Sequence, residues 1–360
     1  MTRLAALRRR MAENGIGGVL LSNETSESYL SGFDFSDGYL AILSDKAYLV
    51  TDFRYTEAAK ANVSADFDVV EAHGGTLLAA IDLLILDGAE HVAFEEDAVT
   101  VAQLARMKSL SDGQLEFSGL ASGWLADMRA LKSEDELAAM DEAQRITDAA
   151  FEHILGVMTP SMTEREVALE LEFFMRRQGA EGIAFDVIAV SGSASSLPHG
   201  VPRDKKLERG FLTMDFGAKV CGYCSDMTRT VVIGKADAEM KRLYDTVLLA
   251  QSEALAYLEG GGRSCRDADA VARAIIEGAG YHGAFGHSLG HGVGRYVHEE
   301  PRLSPSVSPE AMLAEGNVVS VEPGIYLAGR YGCRIEDMVA ITESGIRNFT
   351  GSKKELIELF

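Results

Sequence analysis

Phe211-Leu212-Thr213-Met214-Asp215-Phe216-Gly217 and, further along, Val318-Val319-Ser320-Val321-Glu322-Pro323-Gly324 share one grammar. Each is an apolar run that reads as a strand, then an acid, one residue, and a glycine. A turn follows in both places, and a second acid opens another apolar run: Asp226-Met227 in the first, Glu336-Asp337-Met338 in the second. Asp215 and Asp226 are 11 residues apart, Glu322 and Glu336 are 14 apart. All four stand in otherwise apolar surroundings, where an unpaired charge is costly. If the two copies of this strand pair pack face to face, the four carboxylates share one interior. They then repel one another unless cations neutralise them, and divalent metals bound through oxygen are the natural answer.

The flanking sequence supports an internal repeat. Helices are expected at 134–157 and 163–179, each opened by a capping-box spacing, Ser133 with Glu136 and Thr163 with Glu166. Strands follow at 184–190, 211–217 and 223–233. A helical pair at 237–259 and 266–278 is split by Gly260-Gly261-Gly262, and strands return at 286–292, 317–326 and 334–342. The second half therefore runs helices, strands, helices, strands. Within it lie four of the chain's eight histidines, His282, His287, His291 and His298. The stretch Gly286-His287-Ser288-Leu289-Gly290-His291-Gly292-Val293-Gly294 alternates small and polar residues too densely for a plain core strand. Its glycines let backbone approach a ligand or metal closely. His199 sits in Leu197-Pro198-His199-Gly200-Val201-Pro202, a Pro/Gly loop suited to reaching into a cleft.

Upstream the grammar differs. Strands are expected at 17–21, 39–43, 47–50, 67–70 and 91–94, with Asp45-Lys46 as a tight hairpin turn, and helices near 54–62, 76–87 and 100–110. Leu4, Leu7 and Met11 fall at helical spacing, so the basic Arg8-Arg9-Arg10 belongs to an amphipathic first helix rather than to a signal peptide. This α/β region carries no chemical constellation; Asp52, Arg54 and Tyr55 read as a surface charge group. We place the boundary so that residues 1–124 form the N-terminal α/β domain and 125–360 the second domain, with the single tryptophan, Trp124, at the join.

The whole chain, 360 residues with 47% hydrophobic and 25% charged residues, has ordinary globular composition. A net charge of −21 repels phosphate backbones and anionic surfaces, which argues against nucleic acid and membrane as partners. No apolar stretch approaches the roughly 20 residues of a membrane helix. Four cysteines make no disulfide framework and suit a reducing cytoplasm. Cys221-Gly222-Tyr223-Cys224 lacks two further ligands at similar spacing for a structural zinc. Residues 286–294 lack the Lys-Ser/Thr ending of a P-loop, and no G-x-S-x-G elbow is present.

Taken together, Asp215-Phe216-Gly217-Ala218, Gly222 to Thr230, the 286–301 stretch closing in His298-Glu299-Glu300-Pro301, Val321 to Tyr326, and Arg334-Ile335-Glu336-Asp337 resemble the pita-bread metallopeptidase family. That family includes aminopeptidase P, prolidase, methionine aminopeptidase and creatinase. The resemblance covers about residues 122–350, and the N-terminal region is similar to the family's smaller creatinase-type domain. The implied fold is an α/β creatinase-like domain followed by an α+β pita-bread catalytic domain with a pseudo-twofold repeat.

The resemblance also implies a dinuclear site. Asp215 would hold one metal, His291 with Glu322 the other, and Asp226 with Glu336 would bridge them. Manganese is taken first, with cobalt, zinc and iron open. A hydroxide between the metals would attack the scissile carbonyl. Glu322 would move the proton to the leaving nitrogen, and His199 and His298 would steady the intermediate and grip the substrate. Arg334 would orient the carboxylates from behind, and His287 would line the pocket.

Competent residues at all five ligand positions argue against creatinase, whose chemistry needs no metal, and the extra N-terminal domain argues against methionine aminopeptidase. What remains is hydrolysis of the bond before proline in small peptides with proline at the second position. An Xaa-Pro dipeptidase is expected, with aminopeptidase P on longer Xaa-Pro-Yaa peptides as the alternative and a non-catalytic metal-binding scaffold as the reading from another class. A homodimer is expected from the resemblance alone.

Overall fold

The computed structural model describes residues 2–360, and the chain divides into two compact units after Met128.

The first unit is a six-stranded mixed sheet with helices on both faces. Its strands are β1 (Gly18–Leu21), β2 (Gly38–Leu43), β3 (Ala47–Thr51), β4 (Asp68–Glu71), β5 (His91–Phe94) and β6 (Glu116–Gly119), in the order β4-β3-β2-β1-β5-β6. The helices are α1 (Arg3–Glu13), α2 (Glu24–Ser31), α3 (Phe53–Asn62), α4 (Thr76–Leu86), α5 (Val101–Leu110) and α6 (Ala121–Ala130), the last running across the division. Strand alternation splits the core in two. Val19, Leu21, Leu40, Ile42 and Leu49 pack with Leu4, Leu7 and Met11 of α1. Leu20, Ala41, Leu43 and Val50 point the other way and pack with Leu77, Ile81 and Leu84 of α4. The Asp45-Lys46 turn closes β2 on β3, with Leu43 N–H donating to the Lys46 carbonyl at 2.8 Å.

The second unit has two principal sheets. Its helices are α7 (Glu134–Val157), α8 (Glu164–Arg177), α9 (Ala238–Glu259) and α10 (Cys265–Gly278). Both expected capping boxes form, at Ser133/Glu136 and Thr163/Glu166. The strands are β7 (Gly182–Ile183), β8 (Ile188–Ser191), β9 (Gly210–Phe216), β10 (Ala218–Val220), β11 (Tyr223–Cys224), β12 (Met227–Ile233), β13 (Gly290–Gly292), β14 (Glu299–Leu303), β15 (Val318–Val321), β16 (Gly324–Leu327), β17 (Tyr331–Arg334), β18 (Asp337–Ile341), β19 (Ile346–Asn348) and β20 (Glu358–Leu359). One sheet has the order β20-β12-β9-β8, the other β14-β13-β15-β18-β19. The two strand pairs flagged by the repeat, β9/β12 and β15/β18, are antiparallel ladders, one in each sheet.

Each sheet has an apolar face covered by a helix pair. Leu212, Met214 and Phe216 of β9 pack with Ile146, Phe151 and Val167 of α7 and α8. Val319 and Val321 of β15 pack with Val247, Ala254 and Ala272 of α9 and α10. By alternation the opposite faces carry the polar set, including Thr213, Asp215 and Ser320. Three expected strands are interrupted. Residues 223–233 break at Ser225-Asp226, 317–326 at Glu322-Pro323, and 334–342 at Ile335-Glu336. The expected strand at 286–292 is shorter, because only Gly290–Gly292 pairs. Three of the four repeat acids thus stand in ladder breaks, where backbone leaves the sheet and side chains turn inward.

Candidate metal centre and substrate cleft

Asp215 comes from β9, opposite Thr228 in the β12 register and Ile188 in the β8 register. Asp226 precedes β12, His291 is the middle residue of β13, Glu322 follows β15, and Glu336 precedes β18. The two repeat halves bring all five to one cavity of about 480 Å³, which His199, His287, His298, Arg302 and Arg334 also line. Gly290 makes the close approach possible, because a Cβ there would overlap the Ser320 carbonyl across the β13/β15 ladder.

Arg334 organises the floor. It is buried, and its Nη2 donates to Asp215 Oδ2 at 2.5 Å, its Nε to Thr228 Oγ1 at 2.9 Å, and its Nη1 to the Tyr326 hydroxyl at 2.7 Å and the Pro198 carbonyl at 3.2 Å. The last contact ties down the loop that carries His199. Thr228 passes the order on, donating to Glu336 Oε2 at 2.6 Å, while Glu336 N–H returns to the Thr228 carbonyl at 3.1 Å. His287 Nδ1 lies 2.9 Å from the Ser288 carbonyl and must donate there, so Nε2 accepts from the Tyr326 hydroxyl at 3.1 Å. Burial holds His287 below the usual imidazole range, which fits this neutral tautomer.

His291 shows what the donor set calls for. Its Nδ1 lies 3.1 Å from the Gly292 carbonyl and is committed as donor. In the neutral ring Nε2 therefore presents a lone pair, yet it faces Glu322 Oε1 at 3.2 Å and Asp226 Oδ2 at 3.7 Å. A lone pair set against carboxylate oxygens is repulsive until a cation lies among them, and a carbonyl-anchored histidine is the usual metal-ligand arrangement. Two further observations agree. Asp215 Oδ1 is buried without a hydrogen-bond partner. Asp226 and Glu336 are pushed far above the carboxylate range by burial first and by neighbouring carboxylates second. Burial acts to raise Glu322, and only positive charge set beside it, at His291 and at Arg334, brings it down to about 2; a cation among these groups would supply that charge. Asp226, His291 and Glu336 can offer ligand atoms lying within 4.8 Å of one another. The donor set, carboxylate oxygens with one imidazole, fits divalent cations.

On the cavity wall, the His298 ring meets that of His291 edge-on with centroids 4.3 Å apart. Burial and the neighbouring His291 hold it below its usual range, in the neutral form. His282 is not among the lining residues. The sequence reading gave no role to Thr228, Tyr326 or Arg302. The first two stood inside quoted motifs, but only the three-dimensional hydrogen-bond chain reveals what they touch. Cys221 and Cys224 are free thiols, one exposed and one buried.

Comparison with known proteins agrees with this geometry. The family model described as metallopeptidase family M24 matches residues 138–343, and the creatinase/prolidase N-terminal domain model matches residues 3–131. The chain belongs to metallopeptidase family M24, a divalent-metal hydrolase family with the pita-bread catalytic fold. Among similar proteins, the peptidase YqhT of Bacillus subtilis is 44% identical over 99% of this chain and 100% of its own. A solved Xaa-Pro dipeptidase from Bacillus anthracis superposes with a TM-score of 0.93 at 40% identity, covering 99% of both chains. An X-Pro aminopeptidase from Thermotoga maritima superposes with a TM-score of 0.90 at 37% identity, covering 97% of this chain and 100% of that one.

Proposed function

We propose that this enzyme is an Xaa-Pro dipeptidase, releasing the first residue from a two-residue peptide that ends in proline. The observation that carries the reading is Arg302. It lines the cavity, opposite His291 in the β13/β14 register, and its guanidinium makes no hydrogen bond or ion pair among the described residues. Arg334, by contrast, is spent on Asp215, Thr228 and Tyr326. An uncommitted guanidinium in the cleft suits a free carboxylate, which a dipeptide offers and a longer peptide replaces with a neutral amide. Relatives named Xaa-Pro dipeptidase support this, while the neighbour named X-Pro aminopeptidase makes the longer substrate the alternative.

In this reading Asp215, Asp226, His291, Glu322 and Glu336 hold two divalent cations, with manganese taken first. When bound, the cations polarise the scissile carbonyl and bring an attacking water into reach of neutral pH. Glu322 accepts the proton and delivers it to the proline nitrogen as the bond breaks. His298, neutral beside the cavity, and His199, on its Arg334-anchored loop, donate toward the oxygen where negative charge develops. His287 lines the pocket with its orientation fixed by Tyr326. The proline nitrogen carries no N–H, so the cleft needs no acceptor for one. A cytoplasmic homodimer completes the proposal; the free cysteines suit a reducing compartment, and sedimentation velocity tests the dimer.

Metal-free protein reloaded with manganese, cobalt or zinc is assayed on Ala-Pro, Ala-Pro-amide and Ala-Pro-Ala. Turnover of Ala-Pro with the amide about a hundredfold poorer fits a bidentate Arg–carboxylate grip of roughly 3 kcal/mol. Equal turnover of Ala-Pro-Ala makes the enzyme an aminopeptidase P. Silence on all three with metal bound leaves a non-catalytic scaffold.

A further inference from the structure

Glu299 directly follows His298 and opens β14, and its side chain is 6% exposed. Two cations from the start of the catalytic unit meet it: Lys132 Nζ lies 3.2 Å from Oε2, and Arg129 Nε lies 3.5 Å from Oε1. Tyr296 N–H donates to Oε1 at 3.2 Å, and the Arg129 guanidinium sits over the Tyr296 ring, 5.2 Å from its centroid. The anchor is itself held. Lys132 has a side chain only 1% exposed, and its N–H donates to the Gly316 carbonyl at 2.8 Å. At the other end of the turn, Gly294 N–H donates to the Tyr296 carbonyl at 3.0 Å, and the Gly294 carbonyl accepts from Cys224 N–H at 2.8 Å. A Cβ on Gly294 would overlap the Glu299 carboxylate, so the glycine is what lets this turn close on the acid.

The backbone of His298 is thus strung between two fixed points, Gly294 and Glu299. Burying Lys132 and Glu299 together costs desolvation that their attraction roughly returns, and apolar side chains of similar volume would pack the spot as well. What apolar packing lacks is direction. A carboxylate held by two cations and an N–H has one orientation, and the residue before it inherits that constraint.

We propose that Glu299, clamped by Lys132 and Arg129, is a positioning residue for His298, fixing the imidazole against the reacting carbonyl. The proposal rests on the reading of His298 as a substrate-facing donor. The Glu299 side chain does not line the cavity and bonds to none of the five candidate metal ligands, while its backbone lies opposite Gly292, whose carbonyl anchors His291; unchanged metal content therefore separates an effect through His298 from one through His291.

The test uses the full-length, metal-loaded protein and Ala-Pro hydrolysis in a double-mutant cycle. Glu299→Gln is expected to lower kcat by about tenfold or more, as a misaligned catalytic group does, while KM and metal content stay near wild type. In the His298→Ala background the same substitution is expected to cost nothing further. An equal loss in both backgrounds would show that Glu299 acts elsewhere and overturns the proposal, as would full activity in Glu299→Gln. Lys132→Met combined with Glu299→Gln removes the stranded buried lysine and guards against misfolding. Continued low kcat in that folded protein supports positioning, and recovered activity means the loss was merely the unpaired charge. Full activity in His298→Ala alone would remove the histidine's own role, an outcome distinct from the additive one, and the proposal would fall with it.

Discussion

Asp226, Glu336 and Glu27 are buried carboxyls that burial pushes upward, but their surroundings separate them. The first two border a cavity and face a histidine lone pair; Glu27, on α2, faces a second buried acid, Glu95, within the N-terminal sheet unit. Glu27 Oε1 has no hydrogen-bond partner, and Glu95 Oε1 accepts from Ser26 Oγ at 2.5 Å. Burial first, then the charges of Glu95 and Glu24, raise Glu27 from 4.5 to about 9. It therefore keeps its proton in the folded state at neutral pH and loses it on unfolding. The folded state binds more protons between those two values, so this group's contribution is fully present below 4.5 and declines as pH rises toward 9. Glu27→Gln, neutral and of the same shape, is expected to match wild type in Tm at pH 5 and to exceed it increasingly at pH 7 and 8.5. Parallel Tm curves across that range would refute the assignment. Nothing in the sequence around Glu27 marks it, because its partner Glu95 lies far along the chain and only strand order brings them together.

At the level of elements, one buried side chain decides the geometry of the His199 loop. Glu164, the first residue of α8, accepts from Ser191 N–H at 2.7 Å and Ser191 Oγ at 2.8 Å with one oxygen. With the other it accepts from Arg203 N–H at 3.0 Å and Arg203 Nε at 2.7 Å. The end of β8 and the end of the loop are thereby pinned to one helix start, with His199 between them. Burial acts to raise Glu164, yet the Arg203 and Ser191 hydrogen bonds outweigh it and hold the group below 4.5. The stabilisation is thus present above that value and fades as pH falls through the lower folded value. Glu164→Gln is expected to lose about 1–2 kcal/mol at pH 7, less than a fully buried ion pair because the Arg203 side chain is 36% exposed, and to raise KM for Ala-Pro. In urea unfolding the gap from wild type should shrink at pH 3; an unchanged gap there would count against the ion pair as its source. Thr163 and Glu166 announce this helix in the sequence, but Glu164 between them reads as an ordinary first-turn acid. Several elements escaped the sequence, α6, β14, β19 and β20 among them, and two others show why. α2, ETSESYLS, is poor in helix formers and stands by its caps, Asn23 accepting from Thr25 and Ser26 N–H and Gly32 closing at φ 73°. β6, EFSG, is a short edge strand recognisable only once β5 is in place.

For the whole molecule, the repeat was legible because it is written twice, as strand, acid, glycine, acid, strand, and the sheets carry it as two antiparallel ladders. The loop histidine and the Arg334–Tyr326–His287 chain were harder to read, since the loop meets Arg334 across 136 positions and His287 meets Tyr326 across 39, with no pattern in the sequence between them. The same topology predicts where the molecule depends on metal. Asp226, Glu322 and Glu336 stand in ladder breaks, where single contacts such as Glu322 N–H to the Leu289 carbonyl and Glu336 N–H to the Thr228 carbonyl replace a continuous ladder, so when cations are withdrawn their repulsion acts on the least restrained backbone of the centre. Chelation is therefore expected to raise amide exchange at 222–228, 289–293, 321–324 and 334–338. The N-terminal sheet, which contributes no residue to the cavity, should keep its protection. Bound cations stabilise by mass action, so Tm should fall on chelation and recover in proportion to the logarithm of added manganese. Hydrogen-exchange mass spectrometry on loaded and stripped protein distinguishes this from general loosening. Uniform exchange gain across both units would mean the metal supports the fold globally; gain confined to the four segments would place its mechanical role at the seam between the two repeat halves.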